Sequence, residues 1–228
     1  FDRRSYKRDC RNDLPLPDRV GLNGPLSLEV YRGEGYPEDQ LLELEALRYL
    51  YLGDLQGMRR REAGAAESGL RVLVLTDYEP AVTQCQMAWL AEAAPLLPQK
   101  TSYTVKAHPN CPLKPGDYHD LPLQVTDSPL AGLLSECDVA YSSNITAAAL
   151  DAYVAGVPVV SVLHGDSLNM SPLRGLSDVR FVTSPAELAE SLLAGLAPQS
   201  SNGKKTNCFT IDVTVPRWLA LLSNVANA

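Results

Sequence analysis

Residues 142–160, SSNITAAALDAYVAGVPVV, carry the strongest indication of the fold class. A serine-rich turn opens a segment of small residues that is typical of a closely packed helix, and Gly156 with Pro158 marks its end. The valines that follow form an uninterrupted apolar run, which is typical of a strand buried on both faces of a sheet. A helix followed directly by such a strand predicts a layered α/β fold with a parallel sheet.

Apolar strands and helices alternate on both sides of this stretch. The strand candidates are RVLVLTD (71–77), SYTVKAHP (102–109), LPLQVTD (121–127), DVAYSS (138–143), VPVVSVLHG (157–165) and Phe181-Val182. Helices are predicted at about 81–97, 129–137, 146–155 and from 185 onward, with a last helix that carries Trp218. The alternation predicts one α/β domain over residues 70–228, a doubly wound, Rossmann-like parallel sheet.

Residues 1–69 differ from the rest, because glycines and prolines interrupt the first part of this segment. The leucines that follow predict a helix over about 37–51, and the charged segment 57–69 is interpreted as a linker or a solvated helix. We expect residues 1–69 to be a helical and irregular segment that bridges to, or remains from, a preceding domain. The chain begins with Phe1 and not with Met, which fits that expectation.

Composition and charge argue against several classes of protein. Hydrophobic residues make up 45% of the 228 residues, too many for a mainly disordered chain, and no apolar run is long enough to span a bilayer. With 20 Lys and Arg against 27 Asp and Glu, the net charge of −7 argues against a nucleic-acid-binding protein. The five cysteines are odd in number and include no CxxC, so we expect no disulfide framework, no metal site and a cytoplasmic location.

The sequence also lacks the short motifs of several common enzyme classes. It has no GxGxxG after the strand at 71–77 and no GxxxxGK[ST], which disfavours a nicotinamide-dependent dehydrogenase and a P-loop ATPase. The absence of a GxSxG elbow disfavours an α/β-hydrolase. An anionic ligand would therefore have to be bound by local groups, because the chain offers neither a phosphate loop nor a basic surface.

Polar side chains follow the predicted strands, at the edge where an open parallel sheet binds its ligands. Backbone N–H groups at the start of the helix after Ser142 and Ser143 would bind a phosphate, with the two hydroxyls as further donors. Equally open is the alternative that Ser143 or Asn144 only caps that helix. His108, which Pro109 holds extended, could donate to a phosphate oxygen or protonate a leaving phosphate, or be an ordinary polar strand end.

Taken together, TVKAHPN (104–110) and AYSSNITAAALDAYVAGVPVV (140–160) resemble the carboxyl-terminal, nucleotide-binding half of GT-B glycosyltransferases. The closest likeness is to bacterial enzymes of surface-carbohydrate biosynthesis that use CMP-activated Kdo or sialic acid. These enzymes share a His-Pro motif and a later Ser-Ser or Ser-Thr motif. The phrase GYPEDQLLELEALRYLYL (35–52) also resembles the bridge into that half, so the likeness covers about residues 36–225.

The resemblance implies roles for the polar residues at the strand ends. His108 would contact the phosphate of CMP, and Ser142 and Ser143 would hold it. Asn144 and Thr146 belong to the same phosphate-binding turn.

By the same resemblance, Asp77 matches an aspartate that is implicated as the nucleophile in retaining Kdo transferases. The alternative for Asp77 is a capping or loop carboxylate. Further, weaker candidates near the nucleotide are Lys106, Asn169, Ser171 and Arg174. The resemblance implies no metal and no cofactor besides the CMP-sugar donor.

The expected function is transfer of a sugar, Kdo or a related acidic sugar, from a CMP-activated donor to a surface polysaccharide or lipid-linked glycan acceptor. This chain would supply the donor-binding half, and the acceptor-binding half would precede residue 1. Two alternatives stay open: a non-catalytic nucleotide-sugar-binding module of a polysaccharide assembly complex, and a UDP-sugar transferase or epimerase of the same architecture. A cytoplasmic protein of this kind could also associate peripherally with the inner face of the membrane through other parts of the protein.

Overall fold

The computed structural model describes residues 17–55, 69–118, 120–165, 168–195 and 208–226. The strands are β1 (Val20–Leu22), β2 (Leu41–Glu43), β3 (Arg71–Leu75), β4 (Ser102–Lys106), β5 (Leu123–Val125), β6 (Val139–Ser142), β7 (Val159–Val162) and β8 (Arg180–Val182). The helices are α1 (Pro25–Gly33), α2 (Leu52–Leu55), α3 (Pro80–Ala93), α4 (Leu130–Glu136), α5 (Ala148–Val154), α6 (Pro185–Ala194) and α7 (Pro216–Ala226). The chain divides into two compact units, Phe1–Asp54 with Lys204–Ala228, and Leu55–Gly203.

In the first unit, β1 and β2 pair in parallel, with Val20 opposite Leu41, and α1 connects them. The helix predicted over 37–51 is wrong, because the segment forms β2 between two 3-10 turns, Glu38–Gln40 and Leu47–Tyr49. Leu41 and Leu44 are buried, so the segment is as apolar as the prediction assumed. Pairing with β1 supplies the backbone hydrogen bonds of β2. Because β1 lies outside residues 37–51, the periodicity of that segment could not predict the pairing.

The last helix, α7, belongs to this first unit. The buried carboxylate of Glu45 accepts hydrogen bonds from the backbone N–H groups of Arg217 (3.1 Å) and Trp218 (3.2 Å), in the first turn of α7. Burial alone would raise the pKa of Glu45, but these backbone hydrogen bonds outweigh it and lower the pKa. Because Glu45 binds the start of α7, residues 208–226 group with the amino-terminal unit, and the domain boundaries at 1–69 and 70–228 stay a prediction.

The second unit is built on a six-stranded sheet in the order β5-β4-β3-β6-β7-β8, in which every neighbouring pair is parallel. This is the doubly wound, Rossmann-like sheet that the sequence predicts. The chain builds one half of the sheet outward from β3 and then returns to build the other half outward from β6. The last residue pair at this switch point is Leu75 opposite Ser142.

The core of the second unit lies between α3, α6 and one face of the sheet. Successive side chains of a strand point to opposite faces, so alternate residues of the central strands enter this core. Val74 of β3, Tyr141 of β6 and Leu90 of α3 are all buried in it. All six predicted strands are present, and α3 ends at Ala93, just before a 3-10 turn at Ala94–Leu96 and earlier than the predicted residue 97.

Candidate functional site

The loops that follow β3 and β6 meet at the switch point. The Ser143 hydroxyl donates a hydrogen bond of 2.5 Å to Asp77 Oδ2, and at most 1% of either residue is exposed. The other carboxylate oxygen, Asp77 Oδ1, accepts from the backbone N–H of Glu79 at 3.0 Å. Both carboxylate oxygens of Asp77 are therefore hydrogen-bonded, and its nucleophile role stays a prediction. Its contacts are also those that a loop carboxylate, the alternative for Asp77, would make.

Thr83 fixes the backbone of Asp77 from the first turn of α3. The Asp77 N–H donates to Thr83 Oγ1 at 3.2 Å, and the Thr83 hydroxyl donates back to the Asp77 carbonyl oxygen at 3.1 Å. Pro80 begins the helix between them, where its missing N–H is not needed. The loop after β3 is therefore held at both ends by hydrogen bonds.

Gln86 holds β3 and β6 together below these loops. Its buried side-chain amide donates to the carbonyl oxygens of Leu75 (3.1 Å) and Tyr141 (3.4 Å). The Tyr141 hydroxyl donates to the Gln86 carbonyl oxygen at 3.0 Å, and burial raises its pKa well above the usual value, which keeps it a donor. Sequence reasoning missed Gln86 and Thr83; a polar residue at an inward-facing position of α3 was the available signal.

The turn after β6 uses much of its own hydrogen-bonding capacity. Ser143 Oγ accepts from the N–H groups of Ile145 (3.4 Å) and Thr146 (3.3 Å), besides donating to Asp77. These N–H groups, which the prediction offered to a phosphate, therefore already have a partner. The Ser142 hydroxyl is different, since it is buried and has no hydrogen-bond partner among the described residues.

His108 is half-buried at the end of β4, and two contacts orient it. Its backbone N–H donates to Thr76 Oγ1 at 3.0 Å, and its ring atom Nδ1 accepts from the N–H of Asn110 at 3.2 Å. In the neutral ring the proton is then on Nε2, which has no partner in the described part of the chain. The ring of Tyr78 lies edge-on to the imidazole, with 6.1 Å between the ring centroids.

The weaker candidates make hydrogen bonds to residues close to them. Lys106 Nζ donates to the Asp127 carbonyl oxygen at 2.9 Å. Arg174 Nη1 donates to the carbonyl oxygen of Asn169 at 3.2 Å, and the Asn169 side chain accepts from the N–H of Ser171 at 3.1 Å. The loop that holds Asn169, Ser171 and Arg174 is thus stabilised from within.

Asn144 connects that loop to the turn after β6, because its side-chain amide donates to the Leu168 carbonyl oxygen at 3.0 Å. Beside this contact lies a cleft of about 470 Å³, within the range of small-molecule sites. Leu168 and Met170 are exposed by 80% and 57%. The cleft is lined by Ala81, Val82, Cys85, Asn144, Ile145, Val162, His164, Leu168 and Met170. Asn144 is the one predicted site residue in this lining, which is mostly apolar.

The described residues contain no group of three or more His, Cys, Asp or Glu side chains placed to hold a metal ion. None of their helices combines the length and apolar character that a membrane crossing requires.

No protein-family model and no curated protein sequence matches this chain. Solved structures do. The glycotransferase of kitacinnamycin aligns with a TM-score of 0.52 and 18% identity over 80% of this chain and 47% of that one. HepE from Anabaena, in complex with UDP-glucose, aligns with a TM-score of 0.48 and 14% identity over 91% of this chain and 64% of that one.

The first of these alignments shows that the chain has a fold found in a glycosyltransferase. The chain spans about half the length of that structure. This alignment confirms the Rossmann-like part of the predicted architecture. The activity, the donor and the acceptor have to be argued from the residues of the site.

Proposed function

We propose that this chain supplies the donor-binding half of a glycosyltransferase that uses a nucleotide-activated sugar. The observation that carries the proposal is the convergence of Asp77, His108 and Ser142-Ser143 at the carboxyl edge of three adjacent strands. An open α/β sheet binds its ligands at this edge, where the strand order reverses. A 470 Å³ cleft opens on the same side, beside Asn144.

His108 is the group best prepared to bind a phosphate. Its Nδ1 accepts from Asn110, and its Nε2 has no hydrogen-bond partner among the described residues, which leaves that N–H for a ligand. A histidine in this state donates to an anionic oxygen without a protonation step, and a protonated one adds a charge-assisted bond. The chain carries a net charge of −7, so such a local donor matters more than the long-range field.

Ser142 and Asp77 take different parts in this proposal. The buried Ser142 hydroxyl lacks a partner, so a ligand oxygen that reaches it would satisfy an unpaired group. Asp77 acts as a positioning residue, because its carboxylate fixes the Ser143 hydroxyl and the loop after β3. A nucleophilic Asp77 would attack with a carboxylate oxygen that is hydrogen-bonded to Ser143 or to Glu79 in this structure.

For the donor, we propose a CMP-activated acidic sugar such as Kdo, and for the acceptor a surface polysaccharide or lipid-linked glycan. Support for this finer part comes from the resemblance of TVKAHPN and AYSSNITAAALDAYVAGVPVV to CMP-sugar transferases. The chain spans about half of the glycosyltransferase structure it matches, so the acceptor side of the reaction is part of the proposal.

Calorimetric titration with CMP, CDP and UDP tests the proposal on the wild-type chain and on two variants. We expect CMP to bind, and His108→Ala to weaken it by about 10- to 150-fold, the value of a hydrogen bond to a charged group. Ser102→Ala, an exposed residue at the opposite end of β4, is the control and should bind CMP like wild type. Binding of UDP without CMP would overturn the CMP donor, and failure of all three nucleotides would overturn the function. Donor binding without transfer by the full-length protein would favour the non-catalytic module.

A further inference from the structure

We infer that Tyr78, together with His108, forms a two-part nucleotide contact in which the tyrosine ring stacks on the pyrimidine base and His108 Nε2 binds the phosphate. The inference rests on the proposed function. It adds Tyr78 to the site and assigns the base to Tyr78 and the phosphate to His108. Tyr78 is not among the residues that sequence motifs indicate. It carries no phosphate-binding group of its own.

The first support is the position of Tyr78. It lies in the loop after β3, next to Asp77, at the switch point of the sheet. Tyr78 is 53% exposed, whereas the neighbouring Asp77 is buried. Single exposed aromatic residues are common on protein surfaces, so exposure alone identifies no site.

The second support is that the backbone around Tyr78 is held in place. Asp77 Oδ1 accepts from the Glu79 N–H at 3.0 Å, so a hydrogen bond closes directly across the tyrosine. Thr83 binds both the N–H and the carbonyl oxygen of Asp77. An aromatic ring on a fixed loop loses little conformational entropy when a ligand stacks on it, and preorganisation of this kind favours affinity.

The third support is the neighbouring imidazole. The centroids of the Tyr78 and His108 rings are 6.1 Å apart and the ring planes meet at 64°, an edge-on arrangement. One ring therefore does not cover the other, and the tyrosine keeps a face for a ligand. A flat apolar surface and an N–H donor then lie side by side, in the loops that follow the neighbouring strands β3 and β4. A pyrimidine nucleotide offers the matching pair, a planar base and an anionic phosphate.

The test removes one part of the ligand and one side chain at a time. Binding of CMP, UMP, ribose 5-phosphate and cytidine is measured by calorimetry for wild type, Tyr78→Ala, Tyr78→Phe and His108→Ala. We expect Tyr78→Ala to weaken CMP and UMP by about 5- to 150-fold, the range for loss of base–aromatic stacking. Ribose 5-phosphate, which has no base, should bind Tyr78→Ala as well as wild type.

The other variants separate the role of the Tyr78 ring from that of His108. Tyr78→Phe keeps the ring and should bind CMP like wild type. His108→Ala should weaken CMP and ribose 5-phosphate but leave cytidine unchanged. Tyr51→Ala, an exposed tyrosine of the other unit, is the control and should change nothing. Thermal unfolding of each variant reports whether the fold is kept.

Two outcomes separate this inference from the proposed function. If wild type binds CMP or UMP and Tyr78→Ala binds them equally well, the stacking role is overturned and the function stands. Equal weakening of CMP and ribose 5-phosphate by Tyr78→Ala also overturns stacking on the base. If wild type binds none of these phosphate ligands, both the inference and the function are overturned.

Discussion

The Ser143 hydroxyl and the Asp77 carboxylate join the two halves of the sheet through one 2.5 Å hydrogen bond. Asp77 follows β3, Ser143 follows β6, and both residues are shielded from solvent. Because Ser143 Oγ also accepts from the N–H of Thr146, the bond couples the loop after β3 to the start of the segment that leads into α5. A change at either residue therefore alters both loops of the candidate site.

Ser143→Ala should lower the free energy of unfolding. The variant leaves Asp77 Oδ2 buried without its donor, which costs about 1–3 kcal/mol. Urea unfolding measures the change, and Ser102→Ala, an exposed serine on β4, is the matched control. A variant as stable as that control would contradict the structural role of the bond.

Two glycines with left-handed backbones should respond differently to alanine. Gly69 (φ +80°) and Gly175 (φ +85°) would both incur the conformational strain, about 1–2 kcal/mol. A Cβ at Gly69 would also lie 2.1 Å from the Lys100 carbonyl oxygen, whereas no described atom lies within 4 Å of one at Gly175. We expect Gly69→Ala to lower the unfolding midpoint clearly more than Gly175→Ala. Equal decreases of the unfolding midpoint would show that the close contact with the Lys100 carbonyl oxygen does not destabilise Gly69→Ala further.

Glu45 should make the first unit sensitive to acid. Hydrogen bonds hold its folded pKa below the ordinary value, so its stabilisation is complete above the unfolded pKa of about 4.3 and is lost as the pH falls through the folded pKa. Glu45→Gln should cost about 1.5–3 kcal/mol at neutral pH and flatten the acid dependence. Fluorescence of Trp218 in a Trp89→Phe background follows this unit. Glu29→Gln, an exposed glutamate on α1, should keep the wild-type pH profile.

Cys85 should react slowly with alkylating reagents, although it lines the cleft. Burial raises the pKa of its thiol, so little reactive thiolate exists at neutral pH. The rate should rise as the pH approaches 9 and fall when a ligand fills the cleft. Mass spectrometry of the Cys85 peptide measures both effects, with half-buried Cys111 in the same chain as reference. Reaction at neutral pH as fast as a free thiol would contradict the raised pKa of this half-buried thiol.

The sequence predicts the sheet of the second unit well, because its strands are apolar runs that end in polar residues. RVLVLTD and VPVVSVLHG each place a buried strand where the structure has one. The topology follows from the alternation with helices, since parallel strands need crossover connections. The fold class and the edge that carries the site were therefore predictable from local pattern.

Contacts between distant segments were not predictable in the same way. The Asp77–Ser143 bond depends on the register that sets Leu75 opposite Ser142, and no short motif encodes that register. The segment 37–51 read as helical because leucine suits a helix as well as a buried strand, and only its pairing with β1 decides between them. Tyr78 belongs to no sequence motif. It becomes a candidate only because its ring lies next to the imidazole of His108 in the structure.

The partnership of Glu45 with α7 makes the first unit discontinuous in sequence, with the whole six-stranded sheet as an insertion between its two pieces. Removal of the last helix would therefore damage the unit at the opposite end of the chain, since the Glu45 carboxylate would lose its backbone donors. A piece trimmed to Leu55–Gly203 would keep every strand of the six-stranded sheet. How much of the carboxyl end can be removed should accordingly depend on which of its residues the amino-terminal segment contacts.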